Sequence, residues 1–301
     1  MFHVKHSHRW PNWSRLLDPT RPEVQDCFTL HKHTPNIGQM TNQSQPCRIV
    51  AITNQKGGVG KTTTAINVAT SIAMAGRRVL LVDIDPQGNL TSGVGAKSQR
   101  AAAGTVYEAL LTEERPDAFV LPTTVTNLSL LPADRNLTGA EIELVPLPER
   151  ERRLKRVLDP LRAQFDHIFI DCPPSLGLLT LNALVAADAV LIPLHCEYFA
   201  LEGLADLVGT LRRVRSALNP SLDIEGVLLT MYDDRTNLGQ LVARDVREFF
   251  KEKVFNTIIP RNVRLGEAPS HGIPCVLYDA KSRGAAAYVA LAKEMLARHA
   301  A

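Results

Sequence analysis

A glycine-rich run with two lysines is the pattern with the clearest chemistry in this chain. It reads KGGVGKTT, follows a short apolar segment and begins a long helical one. Glycines let successive backbone N–H groups turn toward one point, and a helix N-terminus adds partial positive charge, so the run predicts a phosphate cradle. The residues that we assign to a nucleotide site here are Lys56, Gly57, Gly58, Val59, Gly60, Lys61, Thr62 and Thr63.

Within the cradle, we expect Lys61 to contact the β- and γ-phosphates and the Thr62 hydroxyl to bind Mg²⁺. Thr63 is placed to donate to the α-phosphate. A glycine turn that caps a purely structural helix is the plain alternative, whereas the spacing does not fit the GxGxxG pattern of a dinucleotide-binding turn. Gln55 stands where the general GxxxxGK[ST] pattern has its first glycine, and Lys56 adds a lysine at the start.

Three aspartates stand at the ends of apolar runs that are typical of buried strands. Asp83 and Asp85 lie at and just after the end of VLLVD, and Asp171 ends HIFID. Ligands of open α/β sheets collect at the carboxyl ends of the strands. We therefore predict that Asp171 binds Mg²⁺ through a water molecule and that Asp83 is a supporting charge near Lys61 or the metal. Asp85 is in position to hold a water molecule, or to form an Asx turn before Pro86.

The composition excludes several classes of protein. Of the 301 residues, 45% are hydrophobic and 22% are charged, as in a globular protein and unlike a disordered or collagen-like chain. We expect no membrane-spanning run and no secretory signal. The five cysteines form no CxxC pair, which disfavours a disulfide framework or a thiolate zinc site and fits a reducing cytoplasm. A net charge of +3 does not by itself indicate nucleic-acid binding.

Short β-branched runs alternate with longer helical stretches from residue 48 onward. Helices are predicted at Thr62–Ala75 and Leu201–Leu218. The alternation predicts βαβ units, and the continuously apolar runs predict strands buried on both faces. We expect an α/β fold with one doubly wound, mostly parallel sheet flanked by helices over residues 48–301. The predicted strands are Arg48–Thr53, Val79–Ile84, Leu128–Leu131, His167–Ile170, Ala189–Pro193, Ile224–Thr230 and Val254–Ile259.

The first 47 residues differ from the rest and are expected to form a disordered N-terminal extension. Residues 1–39 carry both tryptophans, five of the nine histidines and four prolines, without a persistent helical or strand period. A His-rich metal-binding tail is an alternative, although no matching cysteine or carboxylate pattern accompanies the histidines. Met40 directly precedes the folded pattern and is an alternative start, in which case residues 1–39 are upstream DNA read as protein.

Several separated strings resemble motifs of the ParA/MinD family of ATPases. Because so many strings match, the chain resembles the chromosomal ParA (Soj) branch of this family most. The resemblance covers about residues 48–298. It implies the fold of a P-loop ATPase, ATP and Mg²⁺ as ligands, and slow ATP hydrolysis that a partner accelerates. The strings are NQKGGVGKTT, LLVDIDPQGNLTSG, GAEIELVP, IDCPPSLGLLTLNAL, EYFALEGL, LLTMYDDRTNLG and IPRNVRLGEAPSHG.

The resemblance also implies roles for individual residues. Lys56 matches the extra lysine of the family's deviant phosphate loop, which crosses a dimer interface to touch the partner's nucleotide. Asp85 matches the second aspartate of a DxDPQ motif, which orients the attacking water. Pro260 and Asn262 become neighbours of the adenine. The implied catalytic residues are therefore Lys56, Lys61 and Asp85.

Family members bind ATP, form homodimers and coat double-stranded DNA without sequence preference, until a ParB-type centromere-binding protein triggers hydrolysis and releases them. By resemblance we expect the same partners here, no membrane contact, and a cytoplasmic, nucleoid-associated location. Residues 235–264 carry seven Lys/Arg and three acids, a net +4, which fits phosphate contact without base readout. Arg235 and Arg264 lie in family-like strings and are the expected DNA contacts.

Three other functions stay open at this level. A MinD-like ATPase binds membrane through an amphipathic C-terminal helix, but residues 283–301 are alanine-rich, and their stripe with Tyr288 and Leu291 suits packing on the sheet. An electron donor like the nitrogenase iron protein needs a cysteine pair that bridges a cluster, for which Cys172 and Cys196 are poor substitutes. A non-enzymatic scaffold that coats DNA would lack ATP turnover.

Overall fold

The computed structural model describes residues 46–97, 99–112, 115–197 and 199–300, and within these ranges seven strands form one sheet. The expected extension of residues 1–47, with the alternative start at Met40, lies outside the described residues apart from residues 46 and 47. The strands are β1 (Arg48–Ile52), β2 (Val79–Asp83), β3 (Leu121–Pro122), β4 (Leu128–Leu131), β5 (His167–Asp171), β6 (Ala189–His195) and β7 (Asp223–Thr230).

The strand order is β3-β4-β2-β5-β1-β6-β7, and all neighbouring pairs are parallel except β3 with β4. Every residue of β2 and β5 is buried, as expected for strands covered on both faces. Asp171 of β5 pairs in register with Ile52 of β1 on one side and with Asp83 of β2 on the other. The predicted mostly parallel α/β fold is confirmed, and the carboxyl ends of these three strands meet at one edge.

Helices flank the sheet, and the two predicted ones, α1 and α7 below, begin and end one residue earlier than expected. Short 3₁₀ turns stand at Pro116–Phe119, Arg150–Arg152, Asp159–Ala163, Lys251–Lys253 and Ala268–His271. The α-helices are α1 (Lys61–Met74), α2 (Asn89–Gly93), α3 (Val106–Thr112), α4 (Leu137–Glu143), α5 (Arg153–Leu158), α6 (Leu178–Ala186), α7 (Ala200–Ala217), α8 (Asn237–Phe250), α9 (Val263–Glu267), α10 (Cys275–Tyr278) and α11 (Arg283–Ala300).

The predicted strand Val254–Ile259 is wrong, because this segment follows β7 without joining the sheet as a ladder. The N–H of Phe255 donates to the carbonyl oxygen of Val227 at 3.0 Å, and the N–H of Ile259 donates to that of Leu229 at 2.9 Å. Four residues of the segment therefore advance along only two residues of β7. Continuous pairing needs equal steps on both strands, so only isolated bridges form.

The C-terminal helix α11 packs against α1 in the hydrophobic core. Tyr288, Leu291 and Met295 are almost completely buried, and the Tyr288 hydroxyl hydrogen-bonds that of Thr64 at 3.1 Å. The apolar stripe of α11 therefore packs in the core of the protein, as its narrow width predicts. Among the described helices, none combines the length and the apolar character that crossing a membrane requires.

Candidate nucleotide-binding site

The loop between β1 and α1 forms a cradle at the carboxyl edge of the sheet. Gly58 and Gly60 have φ angles of 72° and 87°, in the left-handed region that residues with a Cβ rarely adopt. The side-chain amide of Asn54 donates to a carbonyl oxygen of β6 at 2.8 Å. The hydroxyl of Thr230, at the end of β7, donates to the carbonyl oxygen of Val59 at 2.8 Å. Two neighbouring strands therefore hold the loop in place.

Lys61, the first residue of α1, is a buried cation in this cradle. Its ammonium donates to the carbonyl oxygen of Lys56 across the loop at 3.1 Å. Burial lowers the pKa of Lys61, and the nearby carboxylates of Asp171 and Asp85 oppose that decrease. A partly desolvated ammonium at a helix N-terminus favours an anionic ligand such as a phosphate group.

The carboxylate of Asp171 is completely buried, and within the described ranges neither of its oxygens has a hydrogen-bond partner. Burial and the neighbouring Asp83 raise the pKa of Asp171 well above its ordinary value, while the Thr62 hydroxyl and the Lys61 ammonium act in the opposite direction. A buried carboxylate without a partner is costly unless a cation or a proton neutralises it.

These donors fit Mg²⁺, which prefers oxygen ligands and usually keeps water and substrate phosphates in its coordination shell. Thr62 and Asp171 are the two residues that would hold it. No group of three His, Cys, Asp or Glu side chains suited to a metal exists in the part of the chain that the structure describes. The remaining ligands of a metal bound here would be water molecules and phosphate oxygens.

Asp83 holds the loop after β2 through hydrogen bonds to residues of that loop and of α2. Its carboxylate accepts three hydrogen bonds, from the N–H of Asp85 at 3.1 Å and from the N–H and hydroxyl of Thr91 at 2.8 and 2.7 Å. Burial raises the pKa of Asp83 to about 6, although these hydrogen bonds oppose the increase. Asp83 therefore has a structural role in this loop, and its expected role as a supporting charge stays a prediction.

Asp85 forms the Asx turn that was one of its two expected roles, and the water-orienting role stays a prediction. One carboxylate oxygen accepts the N–H of Gln87 at 2.9 Å, which forms the Asx turn. The structure shows no hydrogen bond from any described residue to the other oxygen, and Asp85 lines the cavity over the cradle. The turn fixes the carboxylate while one oxygen stays available to a ligand or a water molecule.

The cavity at the cradle has a volume of about 570 Å³, within the usual range of small-molecule sites. Three residues predicted for the nucleotide site do not line it: Val59 is buried and bonded to Thr230, Asp171 is buried near Lys61 and Thr62, and Lys56 is paired with Glu197. The predicted residues that do line the cavity are Gly57, Gly58, Gly60, Lys61, Thr62, Thr63, Asp85, Pro260 and Asn262.

Pro260 and Asn262 belong to the loop between the Val254–Ile259 segment and α9. The side-chain oxygen of Asn262 accepts the N–H of Arg264 at 2.9 Å and thereby caps α9. Its amide nitrogen is the group that remains to donate to a ligand. The structure thus brings both predicted adenine neighbours to the cavity that holds the phosphate cradle.

Several further cavity residues escaped the sequence analysis. Thr230 and Met231 stand at the carboxyl end of β7, and the rule that ligands collect at this edge could have found them. Arg261 lies between the two predicted adenine neighbours. Tyr288 comes from α11, and no local pattern connects that helix to the cradle.

Lys56 does not line its own cavity but forms an ion pair with Glu197. The distance from the Lys56 Nζ to the Glu197 Oε1 is 2.5 Å, and the Nδ1 of His195 is 3.2 Å from the same oxygen. The hydrogen bond from Lys56 is the main reason that the pKa of Glu197 is lowered. Within one chain, therefore, the second lysine of the cradle is directed to a carboxylate and not to the phosphate position.

The two expected DNA contacts are exposed arginines that are already paired with acids. The guanidinium of Arg235 forms two hydrogen bonds with the Asp233 carboxylate, at 2.8 and 2.7 Å. Arg264 pairs with Glu267 at 2.7 Å and with Asp279 at 3.2 Å. These pairs reduce the local positive potential, so a DNA phosphate must compete with them.

The absence of a partner for the Asp171 carboxylate can be tested by unfolding the protein without nucleotide. We expect Asp171→Asn to increase the free energy of unfolding by about 1–3 kcal/mol at neutral pH, because it removes a buried charge. The pKa of Asp171 is raised in the folded state, so its penalty grows as pH rises above the ordinary value of 3.8 and vanishes at lower pH. Urea titrations at several pH values measure this.

Asp83→Asn is the matched control, since that carboxylate accepts three hydrogen bonds and its loss should destabilise the protein. The stabilisation that Mg²⁺ adds to bound ADP should be present in the parent and lost in Asp171→Asn. Equal destabilisation by both substitutions contradicts the assignment of Asp171 as an unpaired charge kept for a cation.

Comparisons with known proteins agree with one another. A sequence-family model described as an AAA domain matches residues 47–224. The chain is 57% identical to the chromosome partitioning protein ParA of Myxococcus xanthus, over 83% of this chain and 88% of that protein. It is also 57% identical to the sporulation initiation inhibitor protein Soj of Bacillus subtilis, over 83% of this chain and 98% of that protein.

Solved structures share the fold. A protein described as cobyrinic acid a,c-diamide synthase from Mycobacterium smegmatis, solved with a bound ATP analog and magnesium, matches with a TM-score of 0.72 and 40% identity. The match covers 83% of this chain and 94% of that one. With its glycine cradle, its mostly parallel sheet and these relatives, the chain belongs to the ParA/Soj family of chromosome-partitioning ATPases.

Proposed function

We propose that this chain hydrolyses ATP and that its ATP-bound form is a homodimer that binds double-stranded DNA without sequence preference. The proposal rests on the different positions of the two cradle lysines. Lys61 lies in the chain's own cavity, whereas Lys56 is outside it and paired with Glu197. A lysine that does not serve its own nucleotide is suited to neutralise the phosphates bound by a second copy, as an arginine finger does.

The residues in and next to the cavity divide the work of hydrolysis. Lys61 and the backbone N–H groups of the cradle hold the phosphates, and Thr62 and Asp171 hold Mg²⁺, which when bound supplies positive charge to the β- and γ-phosphates. Asp85 orients the attacking water with the carboxylate oxygen that Gln87 does not occupy. Pro260 and Asn262 contact the adenine.

The dimer forms with ATP because the triphosphate gives Lys56 of each copy a better partner than Glu197. The Lys56 and Glu197 side chains are 34% and 40% exposed, and an ion pair this exposed contributes little stability and breaks at little cost. Two nucleotides then receive two lysines from opposite copies. Hydrolysis and loss of the γ-phosphate remove the charge that holds the copies together.

DNA binding follows from combining the arginines of two copies. Arg264 follows Val263 and precedes Leu265, and both of these residues line the nucleotide cavity. Nucleotide binding in the cavity can therefore shift the position of the Arg264 side chain. Affinity for DNA rises steeply with the number of phosphates contacted, so a dimer with two sets of Arg235 and Arg264 binds far more tightly than one chain.

We expect the isolated protein to hydrolyse ATP slowly and a ParB-type centromere-binding protein to accelerate it, which makes residence on DNA a timed state. The protein then acts in the cytoplasm, on nucleoid DNA. The buried stripe of α11, with Tyr288 and Leu291 almost inaccessible, supports a function without membrane contact.

The central test measures molar mass and sedimentation with plasmid DNA for the full chain with ATP, ADP or no nucleotide. A dimer and DNA binding are expected only with ATP and Mg²⁺, and faster turnover when a DNA-bound ParB-type protein is added. Lys56→Ala should still bind nucleotide but stay a single chain. Lys293→Ala, at an exposed position of α11, should dimerise like the parent.

A parent chain that stays single with ATP and Mg²⁺, even when hydrolysis is blocked, contradicts the proposal. Anionic lipid vesicles form a second arm of the same experiment. Sedimentation with vesicles but not with DNA, in the presence of ATP, favours the membrane-binding alternative.

The role of Asp85 predicts a separation of binding from turnover. Asp85→Ala should still give ATP-dependent dimers on DNA while turnover falls by about 10²-fold or more, because no other group orients the water. Gln87→Ala keeps the backbone N–H that fixes Asp85, so it is the matched control and should retain turnover. Parent-like turnover in Asp85→Ala rejects Asp85 as the water-orienting group.

The arginine assignment predicts a change in the salt dependence of DNA binding. Arg235→Glu and Arg264→Glu should each weaken binding of the ATP-bound dimer and reduce the slope of log affinity against log salt by about 1 or more. Arg213→Glu on α7, outside residues 235–264, is the control for a general charge effect. Unchanged affinity of both variants at low salt shows that DNA binds elsewhere.

A further inference from the structure

Gly95 and Gly272 bring two loops next to the nucleotide site into direct backbone contact. Gly95 lies just after α2, the short helix that follows Asp85, and Gly272 ends the 3₁₀ turn that follows α9. A Cβ on Gly95 would lie 2.9 Å from the carbonyl oxygen of Gly272, and a Cβ on Gly272 would lie 2.9 Å from the Cα of Gly95. Cβ atoms do not approach backbone atoms this closely, so neither position has room for a side chain.

The backbone conformation at both positions also favours glycine. The φ angles of Gly95 and Gly272 are 82° and 66°, in the left-handed region. Gly93, at the end of α2, lies close to the same turn, since a Cβ there would be 3.7 Å from the Cβ of Pro269. The end of α2 and the turn therefore pack together with no flexible side chain between the two glycines.

A series of backbone hydrogen bonds connects Asp85 to this contact. The N–H of Gly88 donates to the carbonyl oxygen of Asp85 at 2.9 Å, and the N–H of Ser92 donates to that of Gly88 at 2.9 Å. The N–H of Gly95 in turn donates to the carbonyl oxygen of Ser92 at 3.0 Å. The segment from Asp85 to Gly95 is therefore one hydrogen-bonded unit, and a shift of the aspartate is carried to the glycine.

On the other side of the contact, a similar series leads to Arg264. The N–H of Gly272 donates to the carbonyl oxygen of Ala268, and the N–H of Ala268 donates to that of Arg264. Ala268 is almost completely buried and belongs to the hydrophobic core. The helix α9 and the 3₁₀ turn thus form one continuous helical segment, of which Arg264 is the second residue.

We propose that Gly95 and Gly272 are positioning residues that transmit the presence of the γ-phosphate from the loop after β2 to α9 within one chain. This inference rests on the proposed function, which places Asp85 beside the γ-phosphate and Arg264 on DNA. When the loop of Asp85 moves on binding of the γ-phosphate, a contact between two backbones cannot absorb the movement by rotating a side chain. The turn at Gly272 therefore moves with the loop, and α9 moves with the turn.

The adenine base does not account for such a transmission. Pro260 and Asn262, the proposed adenine neighbours, lie directly before α9, so binding of any adenine nucleotide acts on this helix. ADP and ATP have the same base and differ only in the γ-phosphate. A difference in α9 between the two nucleotides must therefore come from the phosphate end of the cavity, to which the contact of Gly95 with Gly272 connects it.

The test measures amide hydrogen exchange in full-length Lys56→Ala, which the proposed function expects to stay a single chain. ADP with Mg²⁺ is compared with the β,γ-imido analogue of ATP with Mg²⁺, which is not hydrolysed. We expect the exchange rates in residues 86–97 and in residues 264–273 to change together by about fivefold or more, the lower end of typical allosteric couplings. Molar mass measured on the same samples tests the single-chain expectation separately.

Gly95→Ala in this background should lose the response of residues 264–273 and keep that of residues 86–97, because the added methyl group displaces the turn with either nucleotide. Gly272→Ala should give the same result from the other side of the contact. Gly76→Ala is the matched control. Gly76 has a φ angle of 85°, but no atom of a described residue beyond its chain neighbours lies within 4 Å of a Cβ placed there. This variant has the same backbone strain without the clash and should keep both responses.

Absence of a difference between the two nucleotides in residues 264–273 overturns the proposal, whatever the glycine variants do. A difference that persists in Gly95→Ala and Gly272→Ala also overturns it, since a purely structural role shifts exchange equally with both nucleotides. That result assigns the transmission to another connection, such as the hydrogen bond from Thr230 to the cradle. Loss of the difference in Gly76→Ala as well contradicts the proposal, because strain alone then explains it. Failure of dimerisation or DNA binding in the parent chain is a separate result, because this test contains neither a second copy nor DNA.

Discussion

The buried carboxylate of Asp171, close to the buried ammonium of Lys61, is the electrostatic constraint on which the nucleotide site depends. Both groups have lost most of their hydration, and among the described residues neither oxygen of the carboxylate has a partner at normal hydrogen-bond geometry, although the nearby Thr62 hydroxyl favours its charged form. A protein keeps such an arrangement when a ligand supplies the missing partners. In the proposed function, phosphate oxygens would satisfy the ammonium and a divalent cation would satisfy the carboxylate, which would couple stability to ligand binding through the same two side chains.

Parallel strands give this sheet two chemically different edges. At the carboxyl edge, the chain leaves β1 and β7 in loops that converge on the cradle, and Thr230 bonds one to the other. At the amino edge, arginines and the His167–His299 pair surround another cavity, of about 560 Å³. Because all neighbouring strands but one pair run in the same direction, these two groups of residues lie a full strand length apart.

The ion pair of Lys56 with Glu197 shows which cation is missing from the nucleotide cavity of a single chain. Lys61 lines the cavity at the cradle, and Lys56 is held by the carboxylate of Glu197, just after β6. The pair is partly exposed, so it orients Lys56 without fixing it strongly. A single chain thus has the cradle but lacks the second cation, which is the reason that assembly and catalysis are linked in the proposed function.

The sequence by itself determined the parallel α/β fold and the phosphate cradle, because continuous apolar runs specify buried strands and the cradle is built from consecutive residues. Only the tertiary structure separated the roles of the aspartates: Asp83 is saturated by Thr91 and Asp85, whereas Asp171 is left unpaired. Tertiary structure alone likewise brought Tyr288 to the cavity, paired Lys56 with Glu197, and kept the segment Val254–Ile259 out of the sheet. Backbone geometry is local and can be read along the chain, but hydrogen-bond partners and burial depend on which strands become neighbours.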